Sequence, residues 1–270
     1  MRMKFQKILI TGGSQGIGKS IVDLLVQEEA EIHVISRSFK NLDQYSEKLF
    51  FHPVDLSQCE KVQDFIVQFI ERHGIPDLLI NNAGCGAMYP WEEFPAEEII
   101  AQINLMFLTP VILCREVVPL MVKKDNAVIL NVSSLATIFP LPYMPLYNAS
   151  KSALSSYTRS MMLEFKNNPV FIDLILGDVR TKFNDNLSMQ KETSMSKKMF
   201  SAWLQIQKQL NDSPTPDTIA ARIVKLVKKR KAGVFYEGGI FHKNIFPLLS
   251  KFISFHLTIK LLHFRYFKQK

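Results

Sequence analysis

Apolar positions along this chain fall into two alternating kinds of run. The first kind is short and continuous: KILIT at 7–11, EIHVIS at 31–36, LLIN at 78–81, AVILNVS at 127–133 and VFIDLIL at 170–176. Runs this short, rich in Ile, Val and Leu, predict strands buried on both faces. A sixth, LFFHPV at 49–54, is weaker, because Pro53 cannot donate to a ladder and ends it. The second kind is longer and amphipathic, at 16–29, 57–73, 97–122 and 147–167. Strand and helix in alternation predict parallel βαβ units with right-handed crossovers and helices on both faces of one sheet. The chain reads as α/β, a doubly wound parallel sheet in one domain over about 1–240, followed by a tail over 241–270. No internal repeat or low-complexity linker interrupts it.

Sheets of this kind bind ligands beyond the carboxyl ends of their strands, near the point where strand order reverses. The chemically suggestive residues do lie just after strands. ITGGSQGIGKS (10–20) runs from the first strand into a helix. Its glycines let backbone turn tightly and approach a pyrophosphate, and the helix N-terminus beyond offers free N–H groups to an anion. The spacing is T-G-x-x-x-G-x-G. NNAG (81–84) follows the fourth strand, Ser134 follows the fifth, and YNASK (147–151) lies thirteen residues after Ser134. LGDVRT (176–181) follows the sixth. A Tyr followed four residues later by Lys is weak alone, since Tyr266 and Lys270 in the tail do the same.

Taken jointly, in order and spacing, these motifs resemble the short-chain dehydrogenase/reductase family over about residues 7–236. The resemblance implies a Rossmann-like fold, a nicotinamide cofactor and a catalytic set of Asn104, Ser134, Tyr147 and Lys151. It implies cofactor contacts from Gly12, Ser14, Gly16, Ile17 and Gly18 in the first loop, and from Asn82, Ala83 and Gly84 after the fourth strand. Asp55 and Leu56 would lie at the adenine, Tyr147 and Lys151 at the ribose and nicotinamide, and Gly177, Val179 and Thr181 beneath the nicotinamide. In the family the Asn supports a water that relays protons to the Lys. Leu176 departs from the pattern, which usually has Pro there; the expectation is a looser loop, with no catalytic group lost.

The chemistry fits those residue types. Reducing a ketone by hydride builds negative charge on oxygen and needs a proton delivered there. A phenol's ordinary pKa of about 10 is high for that task, and an ammonium one helical turn away favours the phenolate. Residues four apart share a helix face, so Tyr147 and Lys151 point to one side. Ser134 can hydrogen-bond the substrate oxygen, with Ser133 in a supporting role. At the end of the second strand, Ser36 and Arg37 stand where an NAD-preferring enzyme carries an acid. Arg37 can pair with a 2′-phosphate and Lys40 can add charge, so the cofactor expected is NADP(H) rather than NAD(H).

Composition and charge then narrow the surroundings. The chain is 47% hydrophobic and 21% charged, enough to bury a sizeable core. Three dispersed cysteines make no C-x-x-C pair, which predicts a reduced compartment without disulfides or a zinc site, and the N-terminus reads as a first strand and not a secretory signal. Net charge is +8, but residues 1–196 balance to −4 and residues 197–270 to +12. That asymmetry points to an anionic surface nearby. In the tail, 244–267, a helical wheel gathers Ser250, Lys251, Ser254, Thr258 and Arg265 on one side and Leu248, Phe252, Phe255, Ile259, Leu262 and Tyr266 on the other. This is the pattern of an interfacial helix, or of one packed on the protein itself or on a second subunit.

The substrate loop, about 182–210, carries Met189, Met195, Met199, Phe200 and Trp203, either as a lid over a lipid-like ligand or as ordinary helix packing. Tyr89 and Trp91 face it, and Tyr143 is expected in the substrate wall. The function expected is NADPH-dependent ketone/alcohol interconversion on an apolar, lipid-like substrate. The other reading is an NADP-binding regulator or scaffold without turnover; the intact Ser134, Tyr147 and Lys151 favour the enzyme. A homodimer or higher homo-oligomer is expected through helices near 104–122 and 147–167, with Leu105, Leu108, Val111 and Ile112 at the contact. Location is expected in the cytoplasm, peripheral on a membrane face, with no nucleic-acid partner.

Overall fold

Lys7–Thr11 forms β1, and glycine-rich backbone turns it directly into α1 (Gly16–Leu25). The computed structural model describes residues 5–39, 46–166, 168–181, 183, 187–239 and 253–267. From α1 the chain returns through β2 (Glu31–Ser36) and crosses to β3 (Leu49–Pro53). It then passes under the sheet as α2 (Cys59–His73) to reach β4 (Leu78–Asn81). After a two-residue strand β5 (Ala87–Met88) come α3 (Ala96–Ile103), α4 (Thr109–Met121), β6 (Val128–Ser134), α5 (Pro145–Glu164) and β7 (Val170–Leu176). The remainder is β8 (Ser188–Met189), α6 (Lys197–Asn211), α7 (Pro216–Lys229), β9 (Gly233–Glu237) and α8 (Phe255–Phe267).

Seven strands make one parallel sheet in the order β3-β2-β1-β4-β6-β7-β9. The order reverses between β1 and β4, which places the switch point at the carboxyl ends of Thr11 and Asn81, partners in register. The six strands read from the sequence are present to within a residue. The weak sixth is the edge strand β3, where Pro53 at its end leaves no ladder bond unmade on the open side. The seventh, β9, lacks a long apolar run because it is a half-buried edge, and the sequence pattern did not reveal it.

Alternate side chains of each strand build two layers. Ile8, Ile10, Ile32, Val34, Ile80 and Leu130 meet α1 and α7 on one face. Leu9, Ile35, Leu79, Ile129 and Phe171 meet α2 and α4 on the other. The predicted helix over 97–122 is not uniform: α3 and α4 are joined by a π-helical turn, Asn104–Leu108. Residues 96–121 have the length and apolar content of a membrane span, yet α4 packs on the sheet through Leu113, Cys114, Val117, Val118 and Met121.

Polar stitches fix the amino ends of the strands. Asp77, 3% exposed, accepts the backbone N–H groups of Gln6 (2.7 Å) and Lys7 (2.9 Å) and pairs with Lys124. Its own N–H donates to the Lys7 carbonyl and its carbonyl accepts from Val128, so one residue ties β1, β4 and β6.

The tail departs from the wheel. Thr258 and Tyr266, with Leu262, turn toward the body, where Tyr266 joins Met88, Met144, Met199 and Trp203. Ser201 donates to the Tyr266 carbonyl (3.0 Å), and Lys198 lies over the Phe267 ring. The outward apolar set is Leu257, Ile259, Leu261 and Phe264, with Phe255 also exposed. Thr258 was expected on the polar side; its hydroxyl donates to the Ser254 carbonyl (3.1 Å) within the helix, which lets it be buried without loss. Leu248, Ser250, Lys251 and Phe252 lie outside the described residues.

Asp77→Ala is expected to lower stability by about 1–3 kcal/mol, because two amides and an ammonium lose their acceptor in a buried place. Urea unfolding measures it; an unchanged midpoint would mean that the ladder alone holds the start of β1.

Candidate active site

A cavity of about 530 Å³ opens at the switch point. Its lower wall is the loop after β1. Gly12 and Gly16 hold left-handed backbone (φ 69° and 54°), which glycine adopts without strain. A Cβ on Gly18 would stand 2.1 Å from the Gly12 carbonyl oxygen, and one on Gly12 would stand 2.8 Å from the Ala83 Cα. The loop after β1 is therefore pressed against the chain after β4. Hydrogen bonds seal the contact. Thr11 Oγ1 accepts from the N–H groups of Asn82 (3.0 Å) and Ala83 (3.1 Å), and Asn82 Nδ2 donates to the carbonyls of Thr11 and Gly12 (3.1 Å each). The Asn82 side chain thus braces the loop.

The donor set suits an anionic dinucleotide. Helix α1 starts at Gln15 with no side-chain cap and no acid in its first turn, leaving its N–H groups to an anion. Ser14 and Ser36 share a hydrogen bond of 2.8 Å across the loop. Arg37 is exposed and lines the cavity beside Asp55. Burial alone would raise the Asp55 carboxyl, but hydrogen bonds from Ser57 and Gln58, with Arg37 near, hold it below its ordinary value. Lys40 lies outside the described residues.

At the far end of β6, Ser134 and the first turns of α5 come together. Pro145 opens α5 at a position where a missing N–H costs nothing. Tyr147 faces Ser134, near enough for that hydroxyl to favour the phenolate. Lys151, 4% exposed, donates from Nζ to the Val132 carbonyl (2.7 Å) and faces Gly84, where a Cβ would lie 3.8 Å away. Burial pushes the Lys151 ammonium down to about 8, against Cys85 and Asp173, which raise it. Burial also pushes the Tyr147 phenol up, helped by Asp178 and Cys85 and opposed by the Ser134 hydroxyl. The expected lowering of this phenol by Lys151 is therefore not the state of the free protein: desolvation dominates, and the lysine is engaged with a carbonyl. Ser133 is separated from Ser134 by its partner, since its hydroxyl donates to buried Asp173 (2.6 Å), which also accepts from Ser155 (2.6 Å).

The cavity is lined by Gly12, Ser14, Gly16, Ile17, Gly18, Arg37, Asp55, Leu56, Asn82, Ala83, Gly84, Ser134, Tyr147, Lys151, Gly177, Val179 and Thr181. Asn104 is the exception. It begins the π turn just behind the lining, and its amide donates to the carbonyl of Ser57, which does line the cavity (2.9 Å). The loop after β7 is not looser for having Leu176. That residue extends β7 in register with Glu237, and Gly177 N–H donates to the Glu237 carbonyl (2.8 Å).

The other half of the cavity is apolar. Leu141, Met144, Phe183, Ile206, Leu210 and Leu262 line it, with Arg265 and Gln209 at its polar margin. With its amide turned to suit both groups, Gln209 accepts from Arg265 Nε and Nη2 (3.0 Å each). The Met and Trp residues expected as a lid do not line it. Met199 and Trp203 are buried among Met88 and Tyr266, and Trp203 Nε1 donates to Glu192 (2.9 Å). Tyr89, Trp91, Tyr143, Met189, Met195 and Phe200 are likewise absent from the lining; Tyr89, Tyr143, Met189 and Met195 pack against buried side chains, and Trp91 and Phe200 are exposed. Sequence reasoning missed Ile206, Leu210 and the α8 residues. A period-3.6 reading of 197–211 would have found the first two.

A family model described as short chain dehydrogenase matches residues 6–192. A 3-ketodihydrosphingosine reductase of Bacteroides thetaiotaomicron is 31% identical over 84% of this chain and 86% of its own. A short chain dehydrogenase/reductase from Burkholderia phymatum, solved in complex with NAD, superposes with a TM-score of 0.76 at 20% identity, covering 97% of this chain and 96% of that one. An alcohol dehydrogenase from Thermococcus sibiricus, complexed with 5-hydroxy-NADP, does so with a TM-score of 0.69 at 23% identity, covering 88% and 98%.

Proposed function

This chain belongs to the short-chain dehydrogenase/reductase family, and from that premise we propose that it is an NADPH-dependent reductase of an apolar, lipid-like ketone with Tyr147 as proton donor. The observation that carries the reading is one continuous cavity: glycine loop at one end, Ser134, Tyr147 and Lys151 at its centre, and an apolar wall of Leu141, Met144, Ile206 and Leu262 at the other. The relative named for a ketosphingoid substrate supports the substrate class. No observation favours a scaffold without turnover.

Bound nicotinamide would supply the hydride; the chain's residues do the rest. Gly12, Gly16 and Gly18 leave room for backbone N–H groups to approach the diphosphate, with α1's N-terminus behind them. Asp55 and Leu56 hold the adenine side, and Asn82, Ala83, Gly84, Gly177, Val179 and Thr181 shape the remaining walls. Ser134 holds the substrate oxygen. Burial keeps the proton on Tyr147 near neutrality, which is the form an acid needs, and the phenol releases it only as charge grows on that oxygen. Lys151, still charged below about pH 8, stabilises the phenolate then formed and holds the ribose hydroxyls. Asn104, its side chain held by the Ser57 carbonyl, supports the water that relays protons to Lys151.

Tyr147→Phe is expected to abolish reduction while NADPH still binds, read by steady-state rates and fluorescence titration. In the native enzyme, kcat/KM for reduction is expected to fall as pH rises through about 8, because Lys151 loses its proton there. A retained turnover number in the Phe variant would remove Tyr147 from the mechanism.

Arg37 beside Ser36 and Asp55 favours a 2′-phosphate. At so exposed a site the charge-assisted pair supplies the lower end of its range, roughly tenfold in affinity for NADPH over NADH. Arg37→Asp is expected to erase or reverse the preference in competitive binding. Equal native affinities would overturn it.

The division into a cofactor domain over 1–240 and a tail over 241–270 also belongs to this reading. The tail would rest on a cytoplasm-facing membrane through Leu257, Leu261 and Phe264, with Lys260 at its edge, and hold the cavity near lipid. The homodimer would form on α4 and α5, where Leu108 and Leu163 are exposed. Sedimentation with neutral and anionic vesicles is expected to carry down the full chain, more weakly at high salt, and not a chain ending before Asn244. Light scattering on both chains should read a dimer. Equal failure of both to sediment would make α8 a packing element only, and a monomer would remove the α4–α5 contact.

A further inference from the structure

Away from the cavity, three imidazoles meet under the open edge of the sheet. His33 comes from β2, His52 from the edge strand β3 and His73 from the last turn of α2. One ring nitrogen of each lies within 4.8 Å of the others. His33 Nδ1 and His52 Nε2 are 3.0 Å apart and share a hydrogen bond. The His33 and His73 ring centroids are 4.7 Å apart. Phe50, Phe65 and Phe69 wall the group in: Phe50 stacks on His33 at 4.8 Å and Phe69 meets it edge-on at 4.9 Å.

Two observations set this cluster apart from aromatic packing. His33 is wholly buried, yet its Nε2 has no hydrogen-bond partner, and buried polar atoms are rarely left so. Neutral imidazole is the form that ligates metal. A carboxylate is also at hand: Glu31 Oε2 lies 3.8 Å from His33 Nε2, on a half-exposed side chain that also pairs with Lys7 (3.1 Å).

We propose that His33, through Nδ1, with His52 and His73, forms a binding site for one zinc-type divalent cation, Glu31 being placed to accept from the outward His33 Nε2–H. Three imidazoles, with water completing the coordination, suit Zn²⁺, Ni²⁺ or Cu²⁺ and not Mg²⁺ or Ca²⁺, which take oxygen. Bonds of about 2.0–2.1 Å require the rings to close from their present spacing. His52 and His73 are only partly buried, so they have room to swing and the ion has a path in. None of the four lines the cofactor cavity. The ion would therefore staple the edge strand and α2 to β2, the strand that leads to Arg37.

The test uses the full chain without an affinity tag, stripped with a chelator. Zn²⁺ calorimetry is expected to give one ion per chain, and Co²⁺ the intense visible bands of tetrahedral coordination. His73→Gln should cut Zn²⁺ affinity at least tenfold, while His263→Gln, on the exposed side of α8, should leave it unchanged. Thermal melts in chelator check that His73→Gln folds as the native chain does; if it does not, His52→Gln is read in its place. Zn²⁺ should raise the native melting temperature and leave that of the variant unmoved. Uptake of no stoichiometric metal overturns the site, as does uptake that survives His73→Gln or is lost in His263→Gln.

Discussion

The contact between the loop after β1 and the chain after β4 is what the rest of this structure depends on. Gly12 and Ala83 approach so closely that no Cβ fits on the glycine, and four hydrogen bonds join Thr11 and Gly12 to Asn82 and Ala83 across the gap. Because β1 and β4 are neighbours at the reversal of strand order, this contact holds the mouth of the cavity open at one width. A second buried bridge continues it inward: Asn81 Nδ2 donates to Asn131 Oδ1 (2.7 Å), and Asn131 Nδ2 to Thr158 (2.8 Å), tying β4 to β6 and β6 to α5. The glycine loop and the Tyr147 helix thus answer to one hydrogen-bonded spine, although they are far apart in sequence.

Burial sets the chemistry at the end of that spine. Lys151 lies out of water and Tyr147 is partly buried, and desolvation drives them in opposite directions, the phenol up and the ammonium down toward about 8. Both shifts favour the uncharged form, yet Lys151 keeps its charge below about pH 8, so the resting site sets a neutral phenol beside an ammonium. The buried carboxylate of Asp173, held by Ser133, Ser155 and Arg159, supports this arrangement by opposing the loss of charge on Lys151.

The apolar half of the cavity owes its shape to the last third of the chain. Helix α6 presents Ile206 and Leu210 to the cavity and keeps Met199 and Trp203 for packing against α8. Helix α8 in turn gives Leu262 and Tyr266 to the inside and Leu257, Leu261 and Phe264 to the outside. One helix so placed separates the cavity from an apolar outer surface by its own thickness.

The sequence alone determined six of the seven strands, the glycine loop and the Ser134, Tyr147 and Lys151 set. Those depend on short-range rules: runs of Ile, Val and Leu make buried strands, and a four-residue spacing puts Tyr147 and Lys151 on one helix face whatever surrounds them. Tertiary structure decided which face of an element meets what. Thr258 could be buried because its hydroxyl finds the Ser254 carbonyl, and Met199 and Trp203 turned inward because α8 covers them. The direction of the Tyr147 shift was likewise beyond spacing, since a lysine one turn away lowers a phenol while burial, which spacing does not show, raises it. His33, His52 and His73 are scattered in sequence and meet only because β2, β3 and α2 pack in register. Periodicity fixes where a side chain points on its own element; the packing partner fixes what lies there.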